Sequence, residues 1–119
     1  MYKRQTYNAA EFTPALIKDG EKIEDSFWTG EQPRACFGTG DQGVYMLIIE
    51  GRYPDEGIRG TSVNTCSDIL LAYGCRNALN MDGGSSAILW YDGEYVTQSS
   101  SSFLRYTGGR PLPNAWVYG

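Results

Sequence analysis

Short apolar runs separated by glycine-rich turns make up most of this chain, and this pattern predicts strands more often than helices. Residues 12–17 carry a short apolar segment and residues 21–25 are polar, with Lys-Asp-Gly between them, which predicts a strand, a turn and a second short strand. Residues 34–38 and 44–49 flank a five-residue connection that contains two glycines, so we expect a β-hairpin. The run 44–49 is almost wholly apolar, which predicts burial on both faces and a central position in the sheet.

One segment has helical spacing instead. Thr61 or Ser62 is a suitable N-cap for a helix that ends near Tyr73, and Gly74 is a typical C-terminal stop. The apolar positions of this segment predict a face that covers the sheet, formed by Val63, Cys66, Ile69, Leu70 and Tyr73. A strand at residues 76–80 follows immediately. A strand-helix-strand crossover of this kind normally returns a parallel strand to the same sheet.

The C-terminal part of the chain returns to strand and loop patterns. Residues 85–91 and 95–98 surround Asp92-Gly93 and predict another hairpin. Residues 99–109 include four consecutive serines and a Gly-Gly pair, which is typical of a long loop or of a low-complexity linker. Residues 113–118 resemble a strand that returns to the sheet. The expected fold class is therefore α+β, with a mixed β-sheet, hairpins and one principal helix in a β-α-β crossover packed on the sheet.

Composition narrows the classes of function. The chain has 119 residues, of which 41% are hydrophobic, and this suits one globular domain. A formal charge of −4 argues against nucleic-acid binding through a basic surface. No apolar run approaches the roughly 18 residues that a membrane span needs. The absence of histidine excludes a Ser-His-Asp triad, a histidine general base and zinc sites with imidazole ligands.

The three cysteines, Cys36, Cys66 and Cys75, lie on apolar segments without CxxC spacing. We interpret them as small buried hydrophobic residues. A Cys66–Cys75 disulfide is the alternative, although it would constrain both ends of one helix.

The stretch 80–86, Asn-Met-Asp-Gly-Gly-Ser-Ser, places a carboxylate, two glycines and two hydroxyls between apolar runs. Adjacent glycines permit positive φ and let backbone N–H groups approach a ligand. Because parallel strands end at the same edge of a sheet, Glu50-Gly51-Arg52 and Asp82 should face one crevice. The hairpin places Arg34 beside Glu50. The alternative is that Asp-Gly is only a tight turn.

Arginines near a glycine-rich turn suit an anionic oxygen cluster, because guanidinium offers forked donors. A nearby carboxylate pair suits cleavage of a glycosidic bond, in which one group protonates the leaving oxygen and the other stabilises, attacks or activates water. A sugar phosphate is therefore a coherent substrate. The alternative is that Arg34 or Arg52 only pairs with Glu50. Arg110 is either a third cationic contact or a solvated charge.

Five pieces of the chain, in order, resemble the phosphodiester glycosidase family, of the N-acetylglucosamine-1-phosphodiester alpha-N-acetylglucosaminidase type. They are Pro33-Arg34, Glu50-Gly51-Arg52, the helix that ends at Gly74, residues 78–86, and Arg110 with Asn114-Ala115. The resemblance covers residues 8–119 and implies the C-terminal part of that domain, whereas residues 1–7 are expected to be a non-native or disordered start. The chain departs from the family in having Glu50 in place of aspartate, in lacking a third glycine before Ser85, and in lacking an upstream segment.

The resemblance implies a parent enzyme that hydrolyses the sugar–phosphate bond of a sugar-1-phosphodiester, with a sugar of the N-acetylglucosamine type. The chain itself is expected to be an incomplete and inactive fragment. Asp82 and Glu50 are the expected catalytic carboxylates, and Arg34 and Arg52 are expected to hold the phosphate. The other expected substrate contacts are Asn80, Gly83, Gly84, Ser85, Ser86 and Arg110.

The resemblance also implies a carbohydrate phosphodiester as the partner, no cofactor, and a full-length bacterial or phage-associated protein that acts outside the cytoplasm, for example on exopolysaccharide. It leaves the oligomeric state open, together with two alternatives. A non-catalytic carbohydrate or cell-wall polysaccharide binding module would use Trp90, Tyr91 and Trp116 as stacking surfaces. A divalent cation such as calcium would bind at Asp82, although calcium usually takes roughly six to eight oxygens.

Overall fold

The structure, a computed structural model, describes residues 14–24, 29–97, 99, 100, 115 and 117. This part of the chain contains seven strands, one α-helix and two 3-10 turns. In chain order they are β1 (Ala15–Lys18), β2 (Glu21–Lys22), β3 (Arg34–Gly40), β4 (Gly43–Ile49), the turn Pro54–Glu56, α1 (Val63–Ala72), β5 (Cys75–Met81), the turn Gly84–Ser86, β6 (Trp90–Tyr91) and β7 (Glu94–Tyr95). The expected α+β class is confirmed.

Strands β1 to β5 form one sheet in the order β2-β1-β5-β3-β4, and each neighbouring pair is antiparallel. Both β4 and β5 are antiparallel to β3, so they run in the same direction, as expected for strands that flank a crossover helix. The sheet is antiparallel in detail rather than mixed, because β3 separates these two strands. Strand β4 pairs with one edge of β3 through the hairpin, and the returning β5 pairs with the other edge of β3.

Strand β4 lies at the edge of this sheet, although its apolar run predicts a central position. Within the described residues it pairs only with β3. Tyr45, Leu47 and Ile49 pack partly buried against the core, whereas Val44 is 41% exposed. A continuous apolar run indicates that both faces of a strand are apolar, but it carries no information about which strands lie beside it. Among the described strands, the prediction of a central position is therefore wrong.

The β3–β4 hairpin extends further than predicted. Its strands pair from Arg34 with Ile49 to Gly40 with Gly43, so a two-residue turn replaces the predicted five-residue connection. A Cβ on Gly40 would lie 2.4 Å from the carbonyl oxygen of Gly74. Position 40 therefore requires glycine because the chain after α1 approaches the end of β3 closely.

Helix α1 agrees with the prediction at both ends. The side-chain oxygen of Ser62, the N-cap, accepts a hydrogen bond from the backbone N–H of Thr65 at 3.3 Å. Gly74 has a φ of 94° and follows the last turn. The buried face consists of Val63, Cys66, Ser67 and Leu70. Tyr73 does not belong to this face as predicted: it is the C-cap, past the last helical residue, and is 67% exposed.

The core lies between α1 and one face of the sheet. Its buried members are Leu16, Ile17, Cys36, Val63, Cys66, Leu70, Cys75 and Ala78. The three cysteines are buried and free, so their interpretation as small hydrophobic residues is confirmed and the alternative disulfide is not formed. Burial raises the pKa of the Cys75 thiol. A hydrogen bond with Cys66, together with burial, raises the pKa of the Cys36 thiol.

Strands β6 and β7 form the predicted hairpin around Asp92-Gly93. Its first strand begins at Trp90 rather than at Ser85, because residues 84–86 form a 3-10 turn.

Most of the predicted strand at 113–118 and most of the predicted loop at 99–109 lie outside the described residues, as does the segment 1–7. Helices in the described part of the chain fall short of the length and hydropathy that a membrane crossing requires.

Candidate functional site

One edge of the sheet gathers the predicted site residues. Arg34 begins β3 and pairs with Ile49 at the end of β4, while the next residue of β3 pairs with Met81 at the end of β5. Glu50 and Asp82 are the following residues of the chain, so they leave the sheet on either side of Arg34. Both are half-buried. The shared direction of β4 and β5 thus brings their C-terminal loops to one edge.

The glycine pair after Asp82 folds back against the residue that precedes β3. The backbone N–H of Gly84 donates a hydrogen bond to the carbonyl oxygen of Pro33 at 2.9 Å. A Cβ on Gly83 would lie 2.6 Å from the same oxygen, and Gly84 has a φ of 58° in the left-handed region. Glycine is therefore required at position 83 for close approach and at position 84 for backbone conformation.

Arg52 lies against this glycine turn. Its guanidinium atoms are 3.2 to 3.5 Å from the position that a Cβ on Gly84 would occupy. Arg52 is exposed, and its φ of 63° is uncommon for a residue other than glycine. The loop after β4 therefore contacts the loop after β5, and it leaves a guanidinium at the surface, where forked donors can bind an anion.

Arg34 has a different environment at the same edge. It is 4% exposed, its Nε donates to the carbonyl oxygen of Thr61 at 3.0 Å, and its Nη2 donates to that of Gly30 at 2.8 Å. Gln32 and Thr61 also exchange backbone hydrogen bonds of 3.2 and 3.0 Å. The Arg34 guanidinium therefore joins the segment before β3 to the residue that precedes the N-cap of α1, and its charge lies beneath the surface.

Asn80 and Ser86 are 2% and 5% exposed, respectively. The Cys36 thiol donates to Oδ1 of Asn80 at 3.9 Å, and the backbone N–H of Asn80 donates to the carbonyl oxygen of Pro14 at 3.0 Å. These two residues support the loop from within, whereas Ser85 is half-buried and lies nearer the surface.

Two residues that the sequence patterns did not single out connect the loops. The Tyr53 hydroxyl donates to the carbonyl oxygen of Ser99, and Ser99 Oγ donates to the carbonyl oxygen of Ser85 at 2.9 Å. Tyr53 is 9% exposed and Ser99 is 1% exposed. The sequence signal was weak, because Tyr53 only follows Glu50-Gly51-Arg52 and Ser99 belongs to a run of serines typical of a loop.

Arg110 lies outside the described residues. Among the residues that the structure describes, no group of three or more His, Cys, Asp or Glu side chains could hold a metal ion. A groove of about 280 Å³ lies elsewhere on the sheet, beside Ala15, Phe37 and Leu79, and none of the predicted site residues lines it.

The sequence model of the phosphodiester glycosidase family matches residues 2–118 of the chain. The chain belongs to the phosphodiester glycosidase family. The resemblance of the chain to that family is thereby confirmed. Comparison with curated protein sequences finds no significant match.

Two solved structures have a fold similar to that of this phosphodiester glycosidase chain. A hypothetical protein from Synechocystis is 27% identical with a TM-score of 0.58, over 74% of this chain and 18% of that one. The catalytic domain of zebrafish N-acetylglucosamine-1-phosphodiester alpha-N-acetylglucosaminidase, auto-inhibited by its pro-peptide, is 20% identical with a TM-score of 0.61, over 72% and 33%. The chain therefore spans 33% or less of the length of these two proteins.

Proposed function

We propose that the whole protein hydrolyses the bond between the anomeric carbon of a sugar and a phosphodiester oxygen. The contact between Arg52 and Gly84, with Glu50 and Asp82 at the same sheet edge, is the observation that carries this proposal. Membership of the phosphodiester glycosidase family supports the class of reaction. The activity of the zebrafish relative, as its name gives it, supports a sugar of the N-acetylglucosamine type.

Each group at the edge suits one part of this reaction. The exposed Arg52 guanidinium binds phosphate oxygens. One carboxyl group protonates the phosphate-side oxygen as the glycosidic bond breaks, and the other stabilises the anomeric carbon, attacks it or activates water. Water supplies the new hydroxyl of the sugar, and the second product is a phosphomonoester. Asp82 is the principal carboxylate because it adjoins the glycine turn that Arg52 contacts, and Glu50 is the second.

The other proposed substrate contacts differ in how deeply they are buried. Gly83, Gly84 and Ser85 line the approach to the edge, whereas the buried Asn80 and Ser86 hold the loop that carries them. Arg34 contributes positive charge from beneath the surface, and Arg110 is proposed as a third cationic contact.

The test is release of free N-acetylglucosamine from the methyl phosphodiester of N-acetylglucosamine 1-phosphate. We expect turnover by the whole protein and none by the chain alone, because the chain spans 33% or less of its solved relatives.

Asp82→Asn in the whole protein should lower kcat by about 10²- to 10⁴-fold, since it removes a proton-transfer or charge-stabilising group. Asp55→Asn, at an exposed carboxylate of the turn Pro54–Glu56, is the control and should leave kcat unchanged. Equal kcat values for Asp82→Asn and Asp55→Asn would contradict the assignment.

A second candidate function is non-catalytic carbohydrate binding. It is favoured by the β6–β7 hairpin, where Trp90 pairs with Tyr95 in register and the two are 59% and 56% exposed, with Tyr91 72% exposed. Aromatic rings of this kind can stack on sugar rings. Trp116 lies outside the described residues. Glycan binding by the whole protein without release of free sugar would favour this candidate over the enzyme.

We also propose, from the family resemblance alone, that the whole protein is bacterial or phage-associated and acts outside the cytoplasm. Its substrates are exopolysaccharide phosphodiesters, and it needs no cofactor.

The competing proposal to an enzyme without a cofactor is calcium binding at Asp82. It predicts that millimolar calcium raises the thermal unfolding midpoint, because a ligand of the folded state stabilises it. An unchanged midpoint would count against calcium.

A further inference from the structure

Two hydrogen bonds join segments that are far apart in the sequence. Tyr53, in the loop after β4, donates through its hydroxyl to the Ser99 carbonyl oxygen, and Ser99 Oγ donates to the carbonyl oxygen of Ser85 at 2.9 Å, in the loop after β5. The groups are well shielded from solvent, since Tyr53 is 9% exposed and Ser99 is 1% exposed. We call this pair of bonds the Tyr53–Ser99–Ser85 connection.

The backbone around Tyr53 is held at the same point. Its N–H donates to the carbonyl oxygen of Ile58 at 2.8 Å, and its carbonyl oxygen accepts from the N–H groups of Glu56 and Ile58 at 3.0 and 3.1 Å. Arg52 precedes it with a φ of 63°. The side chain of Tyr53 is therefore buried, whereas the side chain of the preceding Arg52 is exposed. The Arg52 guanidinium lies against Gly84. An anchored Tyr53 fixes the point from which the Arg52 side chain extends.

We propose that Tyr53 and Ser99 are positioning residues that hold the Arg52 guanidinium against the glycine turn. The Tyr53–Ser99–Ser85 connection fixes the distance between the two loops, so Arg52 loses less conformational freedom when it binds an anion. The inference deepens the proposed function, on which its consequence for phosphate binding rests. The Tyr53–Ser99–Ser85 connection itself does not depend on the proposed function, because both of its hydrogen bonds lie within the chain.

Two variants of the 119-residue chain each remove one bond. Tyr53→Phe removes the donor to Ser99, and Ser99→Ala keeps the carbonyl acceptor but removes the donor to Ser85. The controls remove hydroxyls that make no such bond: Tyr73→Phe, at a residue that is 67% exposed, and Ser100→Ala, at a buried hydroxyl without a hydrogen-bond partner among the described residues. Because each variant alone breaks the connection, either one that folds is sufficient for the test.

The readouts are the nitrogen-15 NMR signals of the Gly84 amide and the Arg52 Nε–H group, and the Kd for N-acetylglucosamine 1-phosphate. We expect Tyr53→Phe and Ser99→Ala to shift both signals and to weaken binding by about threefold to tenfold, the effect of one lost hydrogen bond on a binding group. The controls should change neither readout. Unchanged Gly84 and Arg52 signals in Tyr53→Phe or in Ser99→Ala would overturn the inference.

Arg52→Gln separates this inference from the proposed function. If the probe binds Arg52→Gln as tightly as the unmodified chain, the phosphate role of Arg52 is wrong, and the Gly84 signal still decides whether the connection exists. If Arg52→Gln weakens binding while Tyr53→Phe and Ser99→Ala leave the NMR signals unchanged, the phosphate role stands and the connection is wrong.

Discussion

Gly84 combines three roles that a single side chain would disturb. Its φ of 58° lies in the region that residues with a Cβ adopt rarely, its N–H donates to the carbonyl oxygen of Pro33 at 2.9 Å, and its open side admits the guanidinium of Arg52. The neighbouring Gly83 has a separate reason, since a Cβ there would meet the Pro33 oxygen at 2.6 Å. The two glycines of the turn are therefore not interchangeable.

Gly84→Ala tests the contact with Arg52. We expect a loss of about 1 kcal/mol in the free energy of unfolding, because alanine is strained at this φ, together with a shift of the Arg52 Nε–H signal, because the new Cβ would lie 3.2 Å from Nη1. Gly93→Ala is the matched control, with a φ of 82° and no atom within 4 Å of the added Cβ. Urea unfolding should show similar losses for both, and NMR should show the Arg52 shift only for Gly84→Ala. A shift of equal size in both variants would show that the contact is absent.

The two arginines of the edge show how burial changes the role of one residue type. Arg34 donates to two backbone carbonyl oxygens and is 4% exposed, whereas Arg52 is exposed above the glycine turn. A buried guanidinium that binds carbonyl groups supports the backbone, and an exposed guanidinium beside a turn can bind an anion. The sequence assigned both arginines to phosphate.

At the scale of elements, α1 is determined at both ends by local chemistry. Ser62 supplies the oxygen that satisfies the N–H of Thr65, and Gly74 provides the positive φ that follows the C-cap. Both features act within a few residues of the helix end. The helix then packs on the sheet through Val63, Cys66 and Leu70.

Ser62→Ala should lower the free energy of unfolding by about 1 kcal/mol, because one N–H group of the first turn loses its acceptor. Ser62→Asp is the control, since a carboxylate at the N-cap keeps the acceptor and also interacts favourably with the helix dipole. Urea denaturation monitored by circular dichroism measures both variants. Equal stability of Ser62→Ala and Ser62→Asp would mean that the cap contributes nothing.

At the scale of the whole molecule, the core contains a thiol that burial keeps protonated. Cys75 is 2% exposed at the start of β5, and burial raises the pKa of its thiol. In the unfolded chain a thiol loses its proton near its ordinary pKa of about 8.5. The stability that this thiol contributes is therefore complete below about pH 8.5 and is lost as the pH rises toward its folded-state pKa.

We expect the free energy of unfolding to decrease between pH 8 and pH 10 more steeply in the unmodified chain than in Cys75→Ala. The additional slope should be at most about 1.4 kcal/mol for each pH unit, the value for one proton. Urea unfolding at several pH values measures the two slopes, and the difference between them cancels the titration of tyrosine and lysine. The lower absolute stability of Cys75→Ala, which results from the cavity, does not affect this comparison. Parallel slopes would contradict the prediction.

Local patterns in the sequence determined the elements and the composition of the candidate site. The helix ends, the turns at Gly20 and Gly93, and the apolar runs of the strands involve neighbours within a few residues, so they can be predicted without knowledge of the fold. The direction of β5 relative to β4 also followed, because the chain reverses once on entering the crossover helix and once on leaving it, so the two strands run the same way. Glu50, Arg52 and Asp82 could therefore be assigned to one sheet edge from the sequence alone.

Tertiary structure decided the features that depend on which segments meet. It placed β3 between β4 and β5, so that β4 lies at the edge of the described sheet, and it buried Arg34 while leaving Arg52 exposed. It also joined Tyr53 to Ser99, two residues that are 46 positions apart. The periodicity of a sequence segment shows which of its residues lie on an apolar face and which lie on a polar face. Strand order, the depth of a charge and hydrogen bonds between distant loops depend on contacts among several segments at once, and these exist only after the chain has folded.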